Sequence, residues 1–448
     1  MQDPNDPHPK TPHGNAPASS STTRFHGDVV VRAAFLSAVL GWGIGFYGPP
    51  IFLYAVVSRT GWSLSLASAA ITIHFLWGAL VVSLLPRLHA RFGVAPVTVM
   101  GAASLALGIV GWATAQEPWQ LWIAAIFSGS GWVTMAAAGI NAMISPWFSK
   151  RRPAALSTAY NGASVGGMIF SPLWSVLIAH IGFRNATLIV GISMLLIMVL
   201  LAMYVLKFTP KMLGQQPDGA ELAPTSPTSP TAKATPTDPA TKAPAVWQPL
   251  PGKALWRNRR FQTLALAMSL ALFAQIGLFS QIYSWLVPQI GVSSAGWAMT
   301  LTTACAMGGR SLFVKAMSFI DDRRALACSS YAMQAVGSLF LLACDGPGAL
   351  LWIGLVLFGL GVGNTISLPP LIAQSEFAAV DVSRVVALIV AISQATYAFA
   401  PVFFALLLAA THTNASLFAG AALVQCAALI ALWMGNADRS QPTKNDAY

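Results

Sequence analysis

Twelve apolar runs, each long enough to cross a lipid bilayer, constrain the fold of this chain more than any other feature. A membrane-spanning helix needs roughly 20 apolar residues, because its backbone polar groups must be satisfied within the segment. The runs therefore predict an all-α membrane protein with twelve transmembrane helices in two six-helix halves. They occupy 30–57, 65–85, 94–115, 119–144, 155–180, 186–206, 261–287, 296–319, 325–344, 349–373, 384–410 and 415–435.

Composition agrees with a membrane location. Of the 448 residues, 55% are hydrophobic and 9% are charged, whereas soluble proteins carry about 25% charged residues. These values exclude disordered, collagen-like and disulfide-scaffold classes. The four cysteines stand singly, no metal-ligand spacing is present, and no nucleophile–base set lies at the end of a run. We therefore expect no metal, no cofactor and no enzymatic activity.

A polar segment rich in Pro, Thr and Ala separates the first six runs from the last six. Such a composition cannot bury a core, so it predicts a solvated linker. Two halves joined by a long linker are typical of internally repeated transporters. The predicted parts are an N-terminal tail (1–24), a first half (25–206), the linker (207–258), a second half (259–435) and a C-terminal tail (436–448).

Lysine and arginine are distributed unevenly between the two sides of the predicted bundle. With the N-terminus inside, the opposite side holds only Arg59 and Arg184 among the loop residues. The positive-inside rule then predicts both termini in the cytoplasm, and we expect a multi-pass protein of a bacterial plasma (inner) membrane. The net charge of +11 comes largely from residues that flank the runs, so it indicates a lipid bilayer and no nucleic acid as partner.

The most specific motif lies between the fourth and fifth runs and continues into the fifth. It reads Trp147-Phe148-Ser149-Lys150-Arg151-Arg152-Pro153, followed by Gly162, Gly166, Gly167 and then Gly182-Phe183-Arg184-Asn185-Ala186. With the six-plus-six pattern, these residues resemble the major facilitator superfamily, and within it the branch of monocarboxylate porters and oxalate/formate antiporters. The resemblance implies a secondary transporter that works by alternating access. Two features depart from it: Ala90 replaces an acid of the superfamily, and the helix 1 lysine of animal monocarboxylate carriers has no counterpart.

Arg310 lies deep in the eighth run. A charge at that depth costs about 3 kcal/mol on insertion scales and normally faces a cavity or a partner. The related carriers bind substrate through an arginine in helix 8, which the resemblance places on Arg310. In those carriers an acidic residue lies one turn before the arginine, and the equivalent position in this chain is Ala306. An anionic substrate would therefore supply the negative charge that this acid provides in the related carriers. Residues 392–397 of helix 11 lack the second cation of the dicarboxylate antiporters, which favours a monocarboxylate.

Further polar or aromatic residues at mid-depth are expected to line the same cavity. They are Tyr47, Asn161, Gln275, Asn364, Gln394 and Tyr397. His74, in the second run, is the residue at depth that titrates near neutral pH. It is a candidate for proton coupling, and equally a neutral histidine that is hydrogen-bonded within the bundle.

These features predict a secondary active transporter of small organic anions, in the first place a monocarboxylate. We expect it to couple to protons or to a counter-anion and to act as a monomer. Two alternatives stay open: an efflux pump of the same superfamily for drug-like compounds, and a non-transporting membrane sensor with the same fold.

Overall fold

The described residues form helices joined by short turns, and no strand occurs among them. The computed structural model describes residues 25–219, 250, 252–320, 322–365 and 368–435, without the side chain of residue 379. Both predicted tails and the Pro-rich centre of the linker lie outside these residues. The all-α prediction is confirmed.

Each of the first six apolar runs forms one span of the first half. The first run is broken just before Gly48-Pro49-Pro50, because proline fits the first turn of a helix but not its interior. The fourth run is broken at Ala136, whose extended backbone separates two helices. The helices are α1 (His26–Gly45), α2 (Gly48–Thr60), α3 (Leu64–Phe92), α4 (Val94–Thr114), α5 (Pro118–Met135), α6 (Ala137–Ile144), α7 (Arg152–Ile181) and α8 (Phe183–Leu201), with a π-helical turn at Ala202–Leu206.

The second half repeats this arrangement, and its fourth span is broken like that of the first half. Its fifth span also consists of two helices, the second of which begins at Ala400, next to Pro401. The helices are α9 (Gly252–Arg257), α10 (Arg259–Ile290), α11 (Val292–Ala316), α12 (Arg323–Leu342), α13 (Ala349–Val362), α14 (Leu368–Glu376), α15 (Ala379–Tyr397), α16 (Ala400–Thr411) and α17 (Ala415–Met434).

Ten spans in the described part of the chain are long and apolar enough to cross a membrane. The short helix α13 is apolar but ends early, at the break in its span. Helix α11 is long enough, but Arg310, Lys315 and several Ser, Thr and Gly residues lower its hydropathy. The chain is a multi-pass membrane protein.

The buried apolar side chains show where the halves meet and where they separate. We call the end of the bundle at which residues 207–258 connect the halves the linker face, and the opposite end, with the turns at Gly182 and Gly291, the distal face. One large cluster includes residues of both halves, among them Trp174 and Tyr283. Two smaller clusters near the linker face each belong to one half. The halves are therefore joined at the distal face and separated at the linker face.

Polar contacts also cross between the halves on the distal side. The hydroxyls of Ser175 and Tyr283 are 2.9 Å apart, and Thr300 donates to the carbonyl of Met168 over 3.1 Å. The Gln281 amide donates to Ser68 over 3.1 Å. These bonds join α7 to α10 and α11, and α3 to α10.

Both described ends of the linker are attached to the bundle. The Asp218 carboxylate accepts hydrogen bonds from the backbone N–H groups of Ser149, Lys150 and Arg151, at 2.8–3.2 Å, just before α7. At the other end, the backbone N–H of Leu250 donates to Asp381 over 2.8 Å. The linker thus begins against one half and ends against the other, and Asp218 satisfies donors that precede a helix.

Candidate functional site

The candidate site lies where the two halves begin to separate, on the linker side of an aromatic barrier. Phe46 stacks on Phe279 of the other half, with ring centroids 5.8 Å apart, and Phe75 contacts Tyr397 at 5.8 Å. The void between Phe46, Phe75 and Phe279 measures only about 10 Å³. This volume is too small for a substrate, so the site is closed towards the distal face.

Arg310 projects from α11 towards the break in the fourth span of its own half. Its Nε donates to the carbonyl of Gly363 over 3.1 Å. Gly363 follows the last residue of α13, so this carbonyl belongs to a helix end that carries partial negative charge. No carboxylate contacts Arg310 within the described ranges, and neither Nη atom has a hydrogen bond there. The side chain is half-buried, and its outer N–H donors are available to a ligand.

Tyr47 is a residue of the first half that lies near Arg310. It stands at the break between α1 and α2, and its hydroxyl lies near Thr303 and interacts electrostatically with Arg310. A Cβ atom on Gly167 would lie 2.5 Å from the Tyr47 ring and 2.8 Å from Thr303. Only glycine therefore allows α7 to approach this closely. The structure places Tyr47 and Arg310, two of the predicted site residues, next to each other.

Tyr397 also belongs to this region through its contact with Phe75. Together with Trp132, whose ring is 6.1 Å from that of Phe75, it continues the aromatic barrier around the centre of the bundle. Gln394 lies about one turn before Tyr397 and is half-buried, whereas Asn161 on α7 is exposed. Neither amide side chain forms a hydrogen bond within the described residues, so both keep their polar groups for solvent or a ligand.

Two of the predicted cavity residues are instead buried within the second half. The Asn364 amide donates to the carbonyl of Gly309 and to the hydroxyl of Ser330, both at 3.3 Å, and the residue is 3% exposed. It holds α11 and α12 together directly behind Arg310. Gln275 is 5% exposed, and its Oε1 has no partner among the described residues. In this state of the protein neither side chain lines an open cavity.

His74 lies inside the first half, next to Phe75 and Trp132 of the aromatic barrier. The residue is fully buried, and its Nδ1 is 2.8 Å from the hydroxyl of Ser128 on α5. Its Nε2 is near the Gly45 carbonyl without meeting hydrogen-bond geometry. The ring is stacked at 6.2 Å from Trp132. His74 therefore forms a hydrogen bond within the bundle, and its role in proton coupling stays a prediction.

The sequence analysis missed a buried ion pair at the linker face of the second half. Arg324 is fully buried, and its Nε and Nη2 atoms bind the two oxygens of Glu376 at 2.7 and 2.8 Å. The remaining N–H groups donate to the carbonyl of Arg260, the hydroxyl of Thr263 and the carbonyl of Leu432. All five N–H donors of this guanidinium are therefore used. In the sequence Glu376 stands just after the tenth run, a position that alone names no partner.

Comparisons with known proteins agree with this architecture. The sequence profile of the Major Facilitator Superfamily matches residues 33–377. Monocarboxylate transporter 13 of Bos taurus is 29% identical over 172 residues, which are 37% of this chain and 38% of that protein. Monocarboxylate transporter 11 of Mus musculus is 30% identical over 105 residues, 23% of each chain. The matched regions thus span less than two fifths of these relatives.

Solved structures resemble the whole fold at low sequence identity. The nucleoside transporter NupG superposes with a TM-score of 0.65 at 11% identity, covering 93% of this chain and 100% of its own. The peptide transporter POT in complex with sulfate gives 0.65 at 14% identity, covering 92% and 94%. A bacterial homolog of the lysosomal transporter Spinster, inward-facing and unoccupied, gives 0.59 at 15%, covering 93% and 96%. At such identities these likenesses show the fold alone.

Proposed function

Because the chain belongs to the major facilitator superfamily and is a transporter rather than an enzyme, we propose that it carries a small monocarboxylate across the membrane and binds it at Arg310. The observation that carries this proposal is the unsatisfied guanidinium. Arg310 has no carboxylate partner among the described residues, yet it stands where the two halves separate. A carboxylate fits the two free Nη atoms as a bidentate ligand.

The geometry indicates how binding and movement of the halves would be linked. The distal side is closed by the aromatic barrier and the halves form separate clusters at the linker face, so a substrate would reach the site from the linker face. A carboxylate that neutralises Arg310 lowers the cost of burying this charge when the halves approach each other at the linker face. Tyr47 lies on the opposite half from Arg310, so an anion that contacts both residues joins the halves.

The sequence of the site favours one carboxylate over two. No second cation faces Arg310 within the described residues, and Lys315, on the same helix, is exposed. The side of the site formed by Phe46, Phe279 and Tyr397 is apolar or aromatic and suits the organic part of the substrate. The monocarboxylate relatives at low identity point in the same direction. We also place both termini in the cytoplasm of a bacterial cell, following the distribution of Lys and Arg.

The proposal is tested by uptake of labelled lactate, pyruvate and oxalate into proteoliposomes. Wild type is compared with Arg310→Gln and with Lys315→Gln, which removes an exposed charge from the same helix. We expect monocarboxylate uptake by wild type and Lys315→Gln and its loss in Arg310→Gln. Equal uptake by Arg310→Gln would contradict the site assignment, and absence of uptake for every carboxylate in wild type would favour efflux or sensing.

The same vesicles distinguish the two modes of coupling. An inward proton gradient drives uptake only if a proton accompanies the anion, whereas internal unlabelled anion accelerates it only if a counter-anion leaves. If the proton gradient drives uptake, His74→Gln tests the predicted coupling residue. We expect this variant to keep exchange of anions and to lose the response to the proton gradient, since glutamine keeps a polar group near Ser128 but binds no proton. A full response in the variant would exclude His74.

A further inference from the structure

A second cavity lies far from Arg310, at the linker face of the first half. It is a groove of about 770 Å³ between the beginning of α1, the beginning of α4, the end of α6 and the π-helical turn after α8. Its walls are almost wholly apolar and include Val99, Met100, Met143 and Met203. Met100 and Met203 are 58% and 46% exposed, so the groove opens to the surroundings of the bundle.

The span that forms one wall faces the bilayer more than any other candidate span. Phe183–Leu206 has the highest mean hydropathy of the ten, 2.8, and only 28% of its most apolar segment is buried. The π-helical turn Ala202–Leu206 ends this span. Such a turn inserts one extra residue and redirects the side chains that follow, and turns of this kind are common at functional sites. Here it is followed by Lys207, Phe208 and Thr209, which line the mouth of the groove.

The mouth of the groove carries positive charge, and no acid is among the described residues that line it. Lys207 is the charged residue among those that line the groove, and its Nζ lies over the ring of Phe208 at 4.9 Å. Helix α4 begins there with no side-chain cap and no acid in its first turn, so its positive dipole end is uncompensated. Arg91 is two residues before the helix cap, Gly93. An apolar groove in the membrane with a cationic rim is complementary to an acyl chain joined to an anionic headgroup.

We infer that this groove binds an anionic phospholipid, with the phosphate at Lys207 and the start of α4 and an acyl chain between Met100 and Met203. The site is separate from the proposed transport site, because none of its lining residues belongs to the second half. Binding would join α4 to the π-helical turn, which is the last part of the first half before the linker.

The test uses the full chain in nanodiscs of phosphatidylcholine alone or mixed with phosphatidylglycerol. Native mass spectrometry counts the lipids that stay bound after transfer to detergent, and a titration gives the preference between the two lipids. We expect wild type to prefer phosphatidylglycerol by roughly fivefold, the amount expected for one basic residue near a membrane surface. Lys207→Gln should remove this preference. Lys211→Gln, which changes an exposed lysine outside the groove, should keep it.

Two further arms separate the headgroup from the acyl chain. Met203→Trp fills the groove and should reduce retention of both lipids, with the folded state checked by size-exclusion chromatography. Glycerol phosphate, which has the headgroup without chains, should not compete at equal concentration. The inference is wrong if wild type has no preference between the lipids, if Lys207→Gln and Lys211→Gln behave alike, or if glycerol phosphate competes as well as the lipid.

Discussion

Arg310 and Arg324 stand on consecutive spans of the second half, yet their guanidinium groups have opposite surroundings. Arg324 is fully buried, and a carboxylate, a hydroxyl and two carbonyls use all five of its N–H donors. Arg310 is half-buried, and within the described residues only its Nε has a hydrogen bond. A saturated guanidinium belongs to the scaffold, whereas an unsaturated one between the halves is available to a ligand.

The positions of the two residues fit these roles. Arg324 joins α10, α12, α14 and α17, which all belong to the second half, so it makes that half rigid at the linker face. Arg310 faces Tyr47 of the first half, so its surroundings change when the halves move. The degree of burial alone would have selected Arg324 as the candidate functional residue. The count of satisfied donors instead supports Arg310 as the proposed binding residue.

The largest effect should follow from breaking the saturated pair. Glu376→Gln leaves the buried Arg324 without its carboxylate, and removal of one partner of a buried ion pair costs about 3–5 kcal/mol. We expect a strong decrease in folded protein and in thermal midpoint in detergent, measured by fluorescence-detected size-exclusion chromatography. Asp345→Asn, which changes an exposed turn residue, is the matched control. A midpoint equal to that of the control would show that the pair does not hold the scaffold.

The opposite result is expected for Arg310→Gln. This change removes one charge-assisted hydrogen bond to Gly363, which contributes about 1.5–3 kcal/mol, and it also removes the opposing cost of burying a charge that has no carboxylate partner among the described residues. The thermal midpoint of the unliganded protein should therefore stay near that of wild type, whereas Arg324→Gln should lower it as far as Glu376→Gln does. Equal losses in the two arginine variants would remove the distinction between scaffold and site.

Tyr47→Phe sharpens the comparison at the site itself. The change removes the hydroxyl that lies near Thr303 and interacts electrostatically with Arg310, and through which Tyr47 could bind a carboxylate, but it keeps the ring against Phe279. One hydrogen bond contributes about 0.5–1.5 kcal/mol, so carboxylate affinity should fall by roughly two- to tenfold. Competition with labelled monocarboxylate measures this. Tyr160→Phe, whose hydroxyl donates to Ala137 in the first half, is the control and should keep wild-type affinity.

The smallest effect is expected at the linker face of the first half. There the exposed carboxylate of Asp218 makes the polar contacts, whereas the linker face of the second half has the buried ion pair of Arg324 and Glu376. Desolvation raises the pKa of Asp218, but the backbone donors of Lys150, Arg151 and Ser149 outweigh it and lower the pKa below 3.8. The contribution of Asp218 to stability is therefore present above its unfolded pKa and is lost as pH falls through the folded value. Asp218→Asn should lower the thermal midpoint slightly at neutral pH and leave it unchanged in strong acid. A loss as large as that of Glu376→Gln would contradict the contrast between the halves.

Much of the fold follows from the sequence because it depends on local chemistry. The apolar runs give the spans, Gly48-Pro49-Pro50 gives the first break, and the depth of Arg310 in its run, together with the family resemblance, makes it the candidate binding residue. The break at Ala136 has no proline to predict it, although Gly139 allows the start of α6 to approach the carbonyl of Thr134 closely. Glu376 meets Arg324 across 52 residues of sequence, which only tertiary packing decides. Asn364, predicted to line the cavity, likewise forms hydrogen bonds to α11 and α12, and these contacts depend on tertiary packing.

The most direct test of the account is equilibrium binding of lactate, pyruvate and oxalate to the purified protein by calorimetry. Wild type, Arg310→Gln and Lys315→Gln are compared in one detergent at one ionic strength. A charge-assisted hydrogen bond contributes about 1.5–3 kcal/mol, so Arg310→Gln should weaken monocarboxylate binding at least tenfold while Lys315→Gln does not. Monocarboxylate binding of equal strength in Arg310→Gln and wild type would contradict the central claim that the unsatisfied guanidinium is the anion site.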